Sequence, residues 1–134
     1  MRPCKIIVER LCNLYWPNGP SEFYRGITLE EFLRHRPANE YLGDFARYAA
    51  DDAWHFSRAR FFYDELLAGR TLDPISIDNR CDGGNIYAQP VLLDGHHRLG
   101  ASLLAGVRVI PAHYGGRIDL RDYLTGRRRT CPTD

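Results

Sequence analysis

Apolar and polar positions change their spacing several times along this chain, and each change predicts an element. Cys4 to Val8 reads as a short strand. Asn18-Gly19-Pro20, after the aromatic pair Tyr15-Trp16, predicts a loop, with Trp16 assigned to packing. Thr28 is suited to cap a helix from Leu29 to about Arg34, with Glu31 completing a capping box and Pro37 stopping the run. This helix is expected to cover a sheet. From Ala38 to Ala68 the period is helical. Tyr41, Phe45 and Tyr48 stand four and three apart, and a break falls near Asp51-Asp52. A second helix then carries Ala59, Phe62 and Leu66 on one face and ends at Gly69.

Ile75–Ile77 and Ile86–Leu93 flank the turn-rich stretch from Asp78 to Asn85, which predicts an antiparallel hairpin bending at Gly83-Gly84. The apolar run Val91 to Leu93 passes at once through Asp94-Gly95 into a helix from about His96 to Ala105, with Gly106 as its stop. Val107 to His113 is the next strand, and Asp119 to Leu124 a helical turn ahead of Arg127-Arg128-Arg129. A strand-helix-strand crossover predicts parallel strands with both carboxyl ends on one edge. His113 would then share an edge with Asp94 and Gly95, where open sheets tend to bind ligands. Together these elements predict a small α/β domain with a mixed sheet flanked by helices.

The Asp94–Arg98 junction draws the chemistry to itself. The first amides of a helix lack intrahelical partners, the helix dipole favours an anion there, and Gly95 lets a ligand approach the backbone. Arg98, one turn in, offers a forked guanidinium for bidentate phosphate contact, with no acid in the helix to compete for it. Asp94 is first of all an N-cap, a role worth about 0.5 to 2 kcal/mol, and second a group to orient a hydroxyl, hold a metal or act as base. His96 and His97 lie about 100° apart on a helix, so only one of them faces a small ligand from the helix body. His97 is the first choice for a catalytic base, with His96 second. An unperturbed imidazole titrates near pH 6.5, so turnover should fall on acidification through that region.

Composition narrows this picture little. The chain has 134 residues, 44% hydrophobic and 26% charged, in keeping with one globular domain over 1–134. Eighteen Lys and Arg against 17 Asp and Glu leave a net charge of +1. Bulk charge makes no case for nucleic acid, and three terminal arginines make only a weak one. Cys4, Cys12, Cys81 and Cys131 form no C-x-x-C pair, no His-x-x-x-His or zinc-spaced cluster occurs, and Met1-Arg-Pro-Cys-Lys5 lacks the core of a signal peptide. A reduced, cytoplasmic protein without a membrane span or structural zinc is expected. The aromatics Trp54, Phe56, Phe61 and Phe62 are expected to pack, with His55 or Arg58 reaching the phosphate edge as a second reading.

Asp94-Gly-His-His-Arg98, followed by Ala101, Gly106 and Val109-Ile-Pro-Ala112, resembles the signature region of the ParB/sulfiredoxin superfamily. Leu66-Leu-Ala-Gly69 leading into Asp73-Pro-Ile-Ser-Ile77 extends the likeness, which covers about 57–114, with 1–56 as an N-terminal strand and helices and 115–134 as a tail. The resemblance implies a nucleotide cradled at Gly95, His96, His97 and Arg98, with His113 added by the crossover argument. The ligand would be ATP, ADP or CTP, carried with magnesium. His96 stands where sulfiredoxins carry their reactive cysteine, so sulfinic reductase activity is not expected. Nor are the helix-turn-helix and dimerisation regions of chromosome-partition ParB proteins, for which 134 residues leave no room. Three classes follow: a phosphotransferase with a small-molecule acceptor or a nucleotide hydrolase, a nucleotide-dependent binding module, and a nuclease-like DNA-processing protein. The oligomeric state is left open.

Overall fold

The structure, a computed structural model, describes residues 2–15, 24–39, 51–80 and 86–132. The expected loop at Asn18–Pro20, Trp16, the helix with Tyr41, Phe45 and Tyr48, and the Gly83-Gly84 bend lie outside those residues. The chain begins with strand β1 (Arg2–Ile7), which passes without a loop into helix α1 (Val8–Tyr15). The strand expected over Cys4–Val8 is thus cut short, because Val8, Leu11 and Cys12 stand at helical spacing and all three are buried. The Val8 amide donates to the Arg108 carbonyl at 2.9 Å, and Arg10 donates to the carbonyls of Tyr123 and Arg128. These bonds tie the start of the chain to its later elements.

Helix α2 (Leu29–Leu33) is capped as expected by Thr28, whose Oγ1 accepts from the Glu31 amide at 3.1 Å. Among the described residues the Glu31 side chain makes no return bond, so the capping box is one-sided. Helix α3 (Asp52–Leu67) starts at the predicted break. Asp51 caps it by accepting from the Trp54 amide at 3.3 Å. Its buried face is wider than three residues, with Trp54, Phe56, Ala59 and Tyr63 inside and Phe62 and Leu66 packed against the core. Gly69 and Arg70 close it by donating to the Leu66 and Glu65 carbonyls, a Schellman pattern.

Strands β2 (Ile75–Arg80) and β3 (Ile86–Asp94) form the expected antiparallel hairpin, with a register shift between Ser76 and Ile77. Helix α4 (His96–Leu104), strand β4 (Val109–Gly115) and helix α5 (Ile118–Thr125) follow. The sheet order is β1-β4-β2-β3, with β4 antiparallel to β1 and parallel to β2. The expectation that β3 and β4 run parallel is therefore wrong. The parallel partner of β4 is β2, and the crossover consists of β3 and α4 together. A short hairpin reverses β3 first, so the strands on either side of α4 run in opposite directions.

Ile75 and Ile77 on β2, and Ile110, Ala112 and Tyr114 on β4, turn one face of the sheet into the core. Leu99 and Ala101 of α4, Phe32 of α2 and Leu120 and Leu124 of α5 fill it from the helical side. This is a mixed four-stranded sheet packed by helices, an α/β fold as predicted. No helix among the described residues is long and apolar enough to cross a membrane.

Candidate functional site

Helix α4 begins where it was expected, directly after Gly95. That residue sits at φ 105°, ψ 24°, a left-handed conformation that costs glycine nothing. Its Cα is pressed against Ile75: an added Cβ would stand 2.4 Å from Ile75 Cγ2. Glycine is thus required twice, by backbone angle and by space. The first intrahelical bond runs from the Leu99 amide to the Gly95 carbonyl at 2.9 Å, and no side chain caps the turn ahead of it.

The capping role expected of Asp94 is a correction. Its carboxylate turns instead to Arg98 Nη2 at 3.0 Å and stays 74% exposed. Arg98 in turn is far from free. Nη1 donates to the Asp73 carbonyl at 2.8 Å and to Pro74 at 2.9 Å, and the side chain is 12% exposed. Helix α4 itself carries no acid, as expected, but Asp94, just ahead of it and four positions before Arg98, competes for the guanidinium. Arg98 therefore staples α4 to the segment entering β2, and bonds from a charged donor are worth about 1.5 to 3 kcal/mol each.

The histidines gather on the other side of the same turn. His97 Nε2 and His55 Nδ1 stand 2.8 Å apart, joining α4 to the first turn of α3. The buried Trp54 ring lies edge-to-face against both, with centroids 4.8 Å from His55 and 5.3 Å from His97. Burial, then the charges of His55, Arg58 and His96, push the His97 imidazole down to about 3. Protonation of the His97 ring is thereby shifted below the ordinary imidazole range. His96 is also pushed below its usual value by burial, against the opposing pull of Asp94.

His113 is placed in an unexpected way. Although β3 and β4 are antiparallel, both His113 and Asp94 pair with Ser76, so they occupy one row of the sheet. Two strand spacings, about 10 Å, separate their backbones. His113 is exposed and alternates with the buried Ala112 and Tyr114, on the face turned from the core, and it does not join the histidine cluster. His55, by contrast, was marked only as a second reading. Its signal was Asp51, a cap that starts α3 and sets His55 in its first turn.

Among the described residues no group of three or more His, Cys, Asp and Glu gathers as a metal site. A cavity of about 230 Å³, lined by Lys5, Arg70, Leu72 and Pro111 among others, lies around the start of β4 and away from these side chains. The chain matches no protein-family model, no curated protein and no solved structure.

Proposed function

We propose that the first turn of α4 binds the phosphates of a nucleoside di- or triphosphate, for phosphoryl transfer to a small-molecule acceptor or for nucleotide hydrolysis. One observation carries this reading. Helix α4 opens on a left-handed glycine with no side-chain cap, while the acid best placed to cap it is drawn off to Arg98. An uncapped helix start favours an anion through its amides and its dipole together. Arg98 supports that turn by fixing its position, and its charge remains beside it. The neutral His97 ring, next in the same turn, is available to hydrogen-bond a ligand or a water.

Phosphoryl transfer asks mainly for positioning and charge stabilisation, which amides, Arg98 and imidazoles supply. Magnesium, where the nucleotide carries it, would add charge neutralisation, and Asp94 is the exposed carboxylate nearest the turn.

Calorimetric titration with ATP, ADP, CTP and GTP, with and without magnesium, tests the reading, together with amide NMR shifts of His96 to Arg98. Binding with shifts confined to that turn is expected, and absence of binding by all four would overturn it. Binding without turnover, with every acceptor tried, would assign a binding module instead. Asp94→Asn sharpens the test, because it removes a negative charge beside the anion and leaves the core untouched. Without magnesium, a gain in affinity of about two- to fivefold is expected, shrinking at high salt.

A further inference from the structure

We propose that His55 and His97 form a two-member proton relay, in which His97 takes a proton from an attacking hydroxyl or water and passes its own Nε2 proton to His55. The inference rests on the phosphate reading of α4. Its foundation is geometric: two imidazole nitrogens 2.8 Å apart, on two different helices, hold one proton between them. Trp54, edge-to-face against both rings, and the packing of α3 along α4 fix their orientation.

The polarity of that bond decides what the pair can do. If His55 donates, the Nε2 lone pair of His97 is used up, its Nδ1 carries the proton, and no basic nitrogen is left for a ligand. If His97 donates from Nε2, its Nδ1 keeps a lone pair. The relay assigns the second arrangement. In the step, the nucleophile's O–H bond breaks and an Nδ1–H bond forms on His97. The His97 Nε2–H bond breaks and an Nδ1–H bond forms on His55. The nucleophile's oxygen bonds to phosphorus, and the departing phosphate oxygen leaves with the electron pair of its broken P–O bond. The departing oxygen then takes the Nδ1 proton of His97, and His97 takes its Nε2 proton back from His55, which restores both rings.

The surroundings favour this division of labour. His97 is half-buried and is faced by His55, then by Arg58 and His96, so a lasting imidazolium there is disfavoured. A ring that hands on one proton as it receives another never has to hold that charge. His55 acts through His97: it orients that ring, as the third group does in a catalytic triad, and unlike that group it also takes the proton.

The first test needs no activity. Ring ¹⁵N–¹H correlation spectra of the wild type should show His97 as the Nε2–H tautomer with an unprotonated Nδ1, and the Nδ1–H tautomer would overturn the relay. The second test uses turnover of the nucleotide that binds. His55→Ala should keep nucleotide affinity within about twofold while turnover falls on the order of 100-fold, the scale of lost proton transfer. Added imidazoles should restore turnover in proportion to their basicity, which a purely structural role of His55 would not produce. Unchanged turnover in His55→Ala, or rescue indifferent to basicity, would overturn the relay. If no nucleotide binds, the phosphate reading falls by itself, and the tautomer still decides the polarity on which the relay stands.

Discussion

Both ends of α4 turn on a left-handed glycine, and they are finished by opposite means. At the carboxyl end the backbone closes on itself: the Val107 and Gly106 amides donate to the Ser102 and Leu103 carbonyls at 3.0 and 3.2 Å. Gly106, at φ 70°, has open space where a Cβ would go. At the amino end Gly95 is clamped against Ile75, the cap is missing, and the neighbouring charges serve another segment. One end is complete within the helix. The other is rigidly placed but left unfinished, which is the arrangement that suits an external anion.

Substitutions at the two glycines should separate these ends most strongly. Gly95→Ala carries both a strained φ and an overlap with Ile75, and should cost about 3 to 5 kcal/mol. Gly106→Ala carries the strain alone, about 1 to 2 kcal/mol. Urea denaturation reads both, and equal losses would contradict the clamp. In an Ile75→Ala background the Gly95→Ala penalty should shrink, a coupling visible in a double-mutant cycle.

Next comes the staple. Arg98→Met removes three charge-assisted bonds while keeping much of the stem, and should cost about 2 to 4 kcal/mol. Asp94→Asn should cost no more than about 1 kcal/mol, because the carboxylate is exposed. If the two substitutions cost the same, the bonds to the Asp73 and Pro74 carbonyls contribute little.

A smaller and pH-dependent difference should mark the histidine side of the turn. His97 is held neutral in the fold but binds a proton in the unfolded chain below about pH 6.5. Its contribution to stability is therefore complete above that pH and is lost as pH falls from about 6.5 towards 3. One proton gives a slope of at most about 1.4 kcal/mol per pH unit, lessened by solvent screening. Comparing denaturation of wild type and His97→Gln between pH 7 and 4 isolates this ring from the carboxylates. A constant difference across the range would mean that His97 titrates normally.

The sequence was most readable where local chemistry and the fold agree. Thr28, Asp51 and Gly106 signal boundaries through the backbone groups they satisfy or the angles they adopt, so α2, α3 and α4 begin or end where expected. Helix α1 was legible too, in the spacing of Val8, Leu11 and Cys12, but these residues directly continue a strand and the change of period is easily passed over. The direction of β4 was not legible, because it depends on which earlier strand receives it. The partners of Asp94 and Arg98 likewise came from outside the motif, since the Asp73 and Pro74 carbonyls approach only in three dimensions. Gly100 gives no sign in sequence that a Cβ there would strike the Tyr24 ring at 2.4 Å. The His55–His97 contact, across 42 positions, belongs to the same class.

The pairing of β1 with β4 has a consequence for how the chain is made. Arg2 pairs with Tyr114, 112 positions later (114 minus 2), and among the described residues β1 pairs with β4 alone. A ribosome adding about 5 to 20 residues per second leaves β1 waiting roughly 6 to 22 s for that partner to be synthesised. During that interval β1 lacks the strand it pairs with, so it is among the last elements to settle. In refolding the same separation makes the β1–β4 pairing costly in loop-closure entropy, so Ile6→Ala should accelerate unfolding while leaving the folding rate nearly unchanged, a low φ-value at the first strand.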